Sequence, residues 1–376
     1  MKRIYLDHAA TSPMIPAVTR VIAEAMELYI GNPSSIHAEG RTARAKIEES
    51  RKKIAKLLNA SIGEIFFTSG GTEANNTAIK CAVRDLKIQR IISTEIEHHA
   101  VLHSIEAMRR DFQVEVVFLP LDSQGRINLD DLRQYLASST QRTLVTIMHG
   151  NNEIGNLFPI AEIAEICEQY GAWFHTDAVQ TIGHFTVNLQ TTRAHFLAAS
   201  AHKFNGPKGT GILFVRQGLR INPWIDGGGQ ERNIRSGTES THQIMGMATA
   251  LDEAYAHLEQ RQAHHQSLKQ YFKTKLLSIN NQIYINGDQE HSLPHILSVS
   301  FPPGPKSDML LLQLDMAGIS ASGGSACTSG AEQESHVLNA IGHPSERKTI
   351  RFSFSHFNTR EEIDHVLELL AGWYTT

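Results

Sequence analysis

The sequence predicts an α/β protein: a helix-flanked, mostly parallel sheet joined to a smaller α+β domain. Three observations predict it. Short apolar runs alternate with helix-period segments through the first two-thirds of the chain, the signature of βαβ units. Several of those runs are apolar on both sides, as strands covered on two faces must be. After about residue 241 the alternation gives way to a long helical stretch, then to strands and helices in mixed order.

Taken in order, strands are expected at 64–68, 90–94, 114–118, 143–148, 172–176, 195–200 and 211–215. Helical periodicity marks 43–58, 72–85, 100–110, 129–137 and 160–170 between them. A helix is then expected from 241 to about 277. Strands at 282–285, 296–301 and 349–354 follow, with helices near 307–317 and 360–370. Pro302-Pro303-Gly304-Pro305 is a turn-rich break among them. The expected domains are a large one over 15–255 and a small one built from 1–14 and 256–376. With 376 residues, neither needs disulfide or metal staples to bury a core.

Composition excludes several classes. Lys and Arg number 35 against 39 Asp and Glu, so no basic excess marks a dedicated nucleic-acid binder. No run approaches the roughly 18 apolar residues of a membrane span. Cys81, Cys167 and Cys327 stand far apart with no CxxC pair, unlike a zinc ribbon or a disulfide framework. The opening run meets Asp7 before an apolar stretch develops, so no secretory signal is expected and a cytoplasmic location is. Neither GxxxxGK[ST] nor a GxGxxG after a first strand occurs, so the strand ends are expected to hold something other than a nucleotide read by those loops.

Five segments carry chemistry. Thr68-Ser69-Gly70-Gly71-Thr72-Glu73 joins a strand to a helix start, where free N–H groups and the helix dipole favour an anion; an ordinary capped turn is the plainer reading. Ser200-Ala201-His202-Lys203 places a lysine just past a strand end, where its amine can attack a carbonyl if burial disfavours the charge; most lysines are simply solvated. Asp177 ends a central strand and needs a cationic or hydrogen-bonding partner, such as a protonated pyridine; an N-cap is the common alternative. His98, in Glu97-His98-His99-Ala100-Val101, can stack on an aromatic cofactor or move protons. His99 and His103 share a helix face, but two ligands fall short of a zinc set, so no metal is expected. Cys327 is flanked only by small residues, as an accessible nucleophile or an incidental linker thiol would be. Cys81 and Cys167 read as packed small hydrophobes.

Together these segments resemble the class V, fold-type I pyridoxal-phosphate enzymes, and among them the cysteine desulfurases of the NifS/IscS type. The match runs in order along nearly the whole chain. It begins with Tyr5-Leu6-Asp7-His8-Ala9-Ala10-Thr11, Gly31-Asn32-Pro33-Ser34-Ser35 and the segments above. It continues through Asn151-Asn152-Glu153-Ile154-Gly155, His175-Thr176-Asp177 and Arg235-Ser236-Gly237-Thr238 to Gly324-Ser325-Ala326-Cys327-Thr328-Ser329 and Arg351-Phe352-Ser353.

The resemblance implies a homodimer using pyridoxal 5'-phosphate to take sulfur from L-cysteine, leaving alanine and a persulfide on Cys327. Lys203 would bind the cofactor aldehyde, Asp177 its pyridine nitrogen and Gln180 its ring hydroxyl. His98 would stack on the ring and is the candidate for proton transfer. Gly71, Thr72, Ser200 and His202 would hold the phosphate, with Thr238 reaching it across the dimer interface. Asn152 would touch cofactor and substrate, and Asn32 and Arg351 the substrate carboxylate, which the planar fork of an arginine suits. Iron–sulfur scaffold proteins or thiolation enzymes would accept the sulfur. Two departures stand out: glycine at 323 where the pattern has serine, and Ser355-His356-Phe357 where it has Gly-Arg-Phe. The open alternatives are a selenocysteine lyase, an aminotransferase with no use for Cys327, and a non-catalytic scaffold.

Overall fold

The computed structural model describes residues 3–323 and 335–374. A short strand, β1 (Ile4–Tyr5), opens the chain. The seven expected runs form one sheet: β2 (Ile65–Thr68), β3 (Arg90–Ser93), β4 (Glu115–Phe118), β5 (Thr143–Thr146), β6 (Trp173–Asp177), β7 (Phe196–Ser200) and β8 (Gly211–Val215). Their spatial order is β2-β8-β7-β6-β5-β3-β4. Parallel pairing joins β4, β3, β5, β6 and β7, while β8 lies antiparallel between β7 and β2. Every strand of this sheet but β8 therefore points the same way, and their carboxyl ends share one edge.

Successive strand residues face opposite sides. Phe67, Leu197 and Phe214 pack with the helices Ala38–Leu57 and Thr241–Ala256, and Ile92, Val145 and Phe174 extend that face under Leu129–Ala137 and Ile160–Gln169. Phe66, Ile91, Phe196 and Leu213 bury the other face against Gly71–Leu86 and His99–Phe112. The edge strand β4 departs from two-sided burial: Glu115 is exposed there, a charge that blunts an open edge.

The second sheet contains β9 (Tyr284–Ile285), β10 (Ile296–Phe301), β12 (Ser322–Gly323) and β13 (Lys348–Ser353), antiparallel in the order β12-β13-β10-β9. Phe272 and Leu276 of the helix Leu258–Ile279 and Val366 and Leu370 of Arg360–Tyr374 cover it. β1 pairs in parallel with β11 (Ile319–Ser320), and Asp7 bridges to Ser353.

Three expectations need correction. The helix expected over 241–277 is two helices, Thr241–Ala256 and Leu258–Ile279, broken at His257 (φ −118°, ψ 19°). The first packs on the central sheet and the second on the smaller one, so tertiary demand breaks the run at His257, where neither Gly nor Pro stands. The helix Pro16–Leu28 was not expected, although Pro16 at its first turn is a start signal. The stretch 307–317 holds two short helices, Pro305–Asp308 and Leu310–Met316.

One buried ion pair shapes the segment leading to Thr238. Arg51, 0 % exposed, forks onto Glu231 at 2.7 and 2.8 Å and donates to the Ile65 carbonyl at 2.8 Å. Glu231 also accepts the Phe67 N–H at 2.8 Å. Glu231, Arg232 and Asn233 are all left-handed (φ 43°, 55° and 65°), a run that persists only where its surroundings impose it. Arg235–Glu73 at 2.9 Å and Arg44–Glu239 fasten the same segment further on. Removing one partner leaves the other charged and dry, so Arg51→Ala is expected to cost about 3–5 kcal/mol, read as a lowered urea midpoint.

Candidate active site

The chemistry-bearing segments leave the central sheet at its shared carboxyl edge, where open α/β sheets place their ligands. After β2, Gly70 (φ +154°) begins the helix Gly71–Leu86, which has no side-chain cap. A Cβ at Gly71 would lie 2.5 Å from Val179 Cγ2, and Ser200 stands beside both glycines. The result is a cradle of backbone N–H groups, closed in by Ser200 and fit for an anion. Thr72 is exposed at its rim.

Asp177 ends β6 with little exposure (6 %). Its carboxylate accepts the Asn75 amide at 2.6 Å and the Val179 N–H at 2.9 Å. Asn75 escaped the sequence reading, although it follows the glycine turn by one helical turn. Gln180 is buried and donates to the Ala9 carbonyl at 2.9 Å. The same carbonyl, with that of Ala10, accepts the Lys203 ammonium at 2.6 and 2.9 Å. The His202 ring lies 3.2 Å from the Thr11 hydroxyl, and burial, reinforced by Lys203 and Lys208, lowers its pKa to about 4.

His98 caps the helix His99–Phe112, its Nδ1 accepting the Ala100 N–H at 3.0 Å. The neutral ring therefore carries its proton on Nε2. Burial, only partly offset by Asp177, holds His98 below the ordinary imidazole value. Glu97 is wholly buried and accepts the Met148 N–H at 2.6 Å; burial pushes it well above the carboxylate range. His99 stacks on His103 (centroids 5.1 Å apart) and lies 4.3 Å from the His336 ring.

Arg351 comes from β13, in the second sheet, and is 2 % exposed. It donates to the Asn152 carbonyl and to Asp7, each at 2.8 Å, and its buried Nε has no hydrogen-bond partner among the described residues. Asn151 sets that loop by accepting the Glu153 and Ile154 N–H groups at 2.8 and 2.9 Å. Asp7 lies in a quoted motif, but nothing in the sequence linked it to Arg351, 344 positions away. The structure thus brings together Lys203, Asp177, His98, Gly71, Ser200, Gln180 and His202, with Asn152 and Arg351 beside the second sheet. It does not bring in Asn32, in an exposed turn with its side chain on the Ser34 N–H, or Thr238, exposed on the Glu231 segment. Cys327 lies outside the described residues. Cys81 and Cys167 are fully buried, and burial pushes both thiols up, Cys81 to about 12. Among the described residues, an added Cβ at Gly323 would meet Leu311 at 3.9 Å, an ordinary contact.

Glu153 is a titratable group that sequence reading missed. Its carboxylate accepts the Ser335 hydroxyl at 2.5 Å, and burial raises its pKa to about 7, against smaller lowering by Ser335 and Arg351. A raised folded pKa contributes stability that is complete below the ordinary value of 4.5 and lost as pH rises through about 7. Glu153→Gln is therefore expected to flatten the fall in melting temperature between pH 5 and 8, compared with the parent chain.

The residues fit pyridoxal 5'-phosphate: an uncapped helix start for the phosphate, a buried carboxylate for a protonated nitrogen and a lysine held at a strand end. The fold is that of a fold-type I enzyme, a class that uses that cofactor. The Aminotransferase class-V family description matches residues 4–366. A cysteine desulfurase IscS from Dictyoglomus turgidum is 42% identical over 375 residues, covering 98% of this chain and 94% of that protein. A putative cysteine desulfurase IscS 1 from Bacillus subtilis is 43% identical over 369 residues, covering 96% of each. A NifS-like protein structure from Rickettsia africae superposes with a TM-score of 0.89 at 31% identity, covering 100% of both chains. The chain belongs to the class-V aminotransferase family, in its NifS/IscS-type cysteine desulfurase branch.

Proposed function

We propose that the protein is a homodimeric L-cysteine desulfurase that passes sulfur through a Cys327 persulfide. The observation that carries the reading is the meeting of Lys203, Asp177 and His98 at one sheet edge, next to Arg351. Pyridoxal 5'-phosphate, when bound, supplies an electron sink for charge developing at the substrate α-carbon.

The chain's own residues do the rest. Asp177 keeps a positive nitrogen in place, and Gln180 answers the neighbouring hydroxyl. Gly71, Thr72, Ser200 and His202 hold the phosphate, with Thr238 contributed by the second copy. Lys203 would hold the cofactor's aldehyde, and its amine would be the group that moves the substrate α-proton. Arg351, steadied by Asp7, takes the substrate carboxylate with Asn32 and Asn152. His98, neutral near pH 7, carries a proton to or from the substrate thiol. As the Cys327 thiolate bonds to that sulfur the Cβ–S bond breaks, its electron pair stays with Cβ and takes up a proton there, and alanine leaves. The buried, un-ionised Cys81 and Cys167 support Cys327 as the nucleophile.

Support for a dimer comes from Met26, Leu28, Ile30 and Ile36, which are 59 to 91% exposed around the Asn32 turn. The two sheets support the division at 15–255 against 1–14 and 256–376. Among the described residues no helix is long and apolar enough to cross a membrane, and the reading places the enzyme in the cytoplasm. Acceptors would be iron–sulfur scaffold proteins or tRNA-thiolation enzymes.

The test is purified protein with L-cysteine and a reductant. A yellow cofactor band with equimolar alanine and sulfide is expected. Turnover with a keto acid that survives Cys327→Ala would favour an aminotransferase instead.

A further inference from the structure

Three histidines from distant segments converge beneath the Lys203 segment. His184 lies in the turn after β6, His265 in the helix Leu258–Ile279, and His295 immediately before β10. One ring nitrogen from each lies within 4.8 Å of the others. The His184 and His295 rings stack 4.1 Å apart at 18°. His265 and His295 are 3 % and 2 % exposed, yet Nε2 of His265 and both ring nitrogens of His295 have no hydrogen-bond partner among the described residues. These atoms border a cavity of about 20 Å³, room for one water or one ion and too small for an organic ligand.

The donor chemistry suits a cation. Burial lowers His184 to about 4 and His265 to about 2, and carries His295 well below its ordinary value, so all three rings are neutral with a lone pair available. His184 donates Nε2–H to the Lys203 carbonyl at 3.1 Å, which leaves Nδ1 as its lone-pair atom. That carbonyl is the kind of outer partner that fixes a metal-binding imidazole. An all-imidazole set with no carboxylate favours zinc, cobalt, nickel or copper over magnesium or calcium. His8, His356 and Arg261 also face the cavity, and the Arg261 charge opposes a divalent ion, which moderates affinity. His356 stands where the resemblance expects arginine, so that departure belongs to this cavity.

We propose that His184, His265 and His295 form a transition-metal site, three imidazole nitrogens with water completing a tetrahedral zinc ion. The ion would tie the turn that holds the Lys203 carbonyl to the helix and strand of the second sheet. Sequence spacing gave no sign of it, because the three positions share no helix face or short motif.

The experiment uses the cofactor-loaded protein without a histidine tag, in a Cys327→Ser background that removes one thiol ligand. Co2+ alone is titrated and its visible ligand-field bands are followed; Zn2+ alone is titrated by calorimetry and by melting. One ion per chain is expected, with four-coordinate cobalt bands and a zinc-dependent rise in melting temperature. His265→Gln and His295→Gln should each weaken binding about 100-fold or more, while His99→Ala, on the surface pair, should not. Circular dichroism and retained cofactor absorbance show that each variant is folded. Absence of a bound ion in the background protein overturns the proposal without any variant. So does binding that both glutamine variants leave unchanged.

Discussion

Replacing Lys203 with alanine is expected to lower alanine formation from L-cysteine by more than about 10⁴-fold, since a positioned proton-transfer group alone is worth about 10²–10⁴ and covalent binding of the cofactor is lost with it. The structure makes this a sharp test. The Lys203 amine is held by the Ala9 and Ala10 carbonyls, and its backbone carbonyl accepts from His184. The substitution leaves the backbone contacts in place and removes only the amine. The variant should bind added cofactor weakly, without the yellow band of the parent, and should melt near the parent's apo form. Undiminished turnover would dismiss Lys203 as the reacting amine.

Cys327→Ser separates the sulfur-accepting step from everything before it. A serine hydroxyl is essentially un-ionised at neutral pH, whereas a cysteine is a few per cent thiolate even unassisted. The expected variant keeps the cofactor band and still responds spectrally to L-cysteine, but protein-bound persulfide and sulfide fall to background. Mass spectrometry of the parent after one turnover should find one added sulfur, on the peptide containing Cys327. Cys81 packs against the Asn222 carbonyl and Arg84, and Cys167 lies in the core under the central sheet. Sulfur on either would mean that the assignment of the nucleophile is wrong.

What could be read in advance was what lies close in sequence. Gly70-Gly71, His98, Asp177 and Ser200–Lys203 each follow a strand, so alternation of strands and helices was enough to place them on one sheet edge. Partners across the chain could not be read. Asp7 on Arg351, Glu231 on Arg51, Asn75 on Asp177 and the three-histidine cavity are set by packing, and no local spacing encodes them. The break at His257 was hidden for a related reason: both halves favour helix, and only the need to cover two different sheets separates them. Glu153 looked like one acid within a motif, and the burial that raises its pKa, against the smaller lowering by Ser335, comes only from the fold.

The way the first strand is held has a bearing on how the chain is made. Among the described residues β1 pairs with β11 alone, more than 300 residues downstream, and Asp7 waits for Arg351. The carbonyls of Ala9 and Ala10, which seat Lys203, lie just beyond those two anchors. On a ribosome that emits the amino terminus first, β1 and Asp7 lack these partners until the last quarter of the chain has emerged. The central sheet can form early from its own nearby strands, since contacts of short sequence separation close fastest. The two anchors ahead of the Lys203 seat are then fitted last, so a nascent chain halted before residue 351 would be largely folded while its opening strand and Asp7 still lacked these partners.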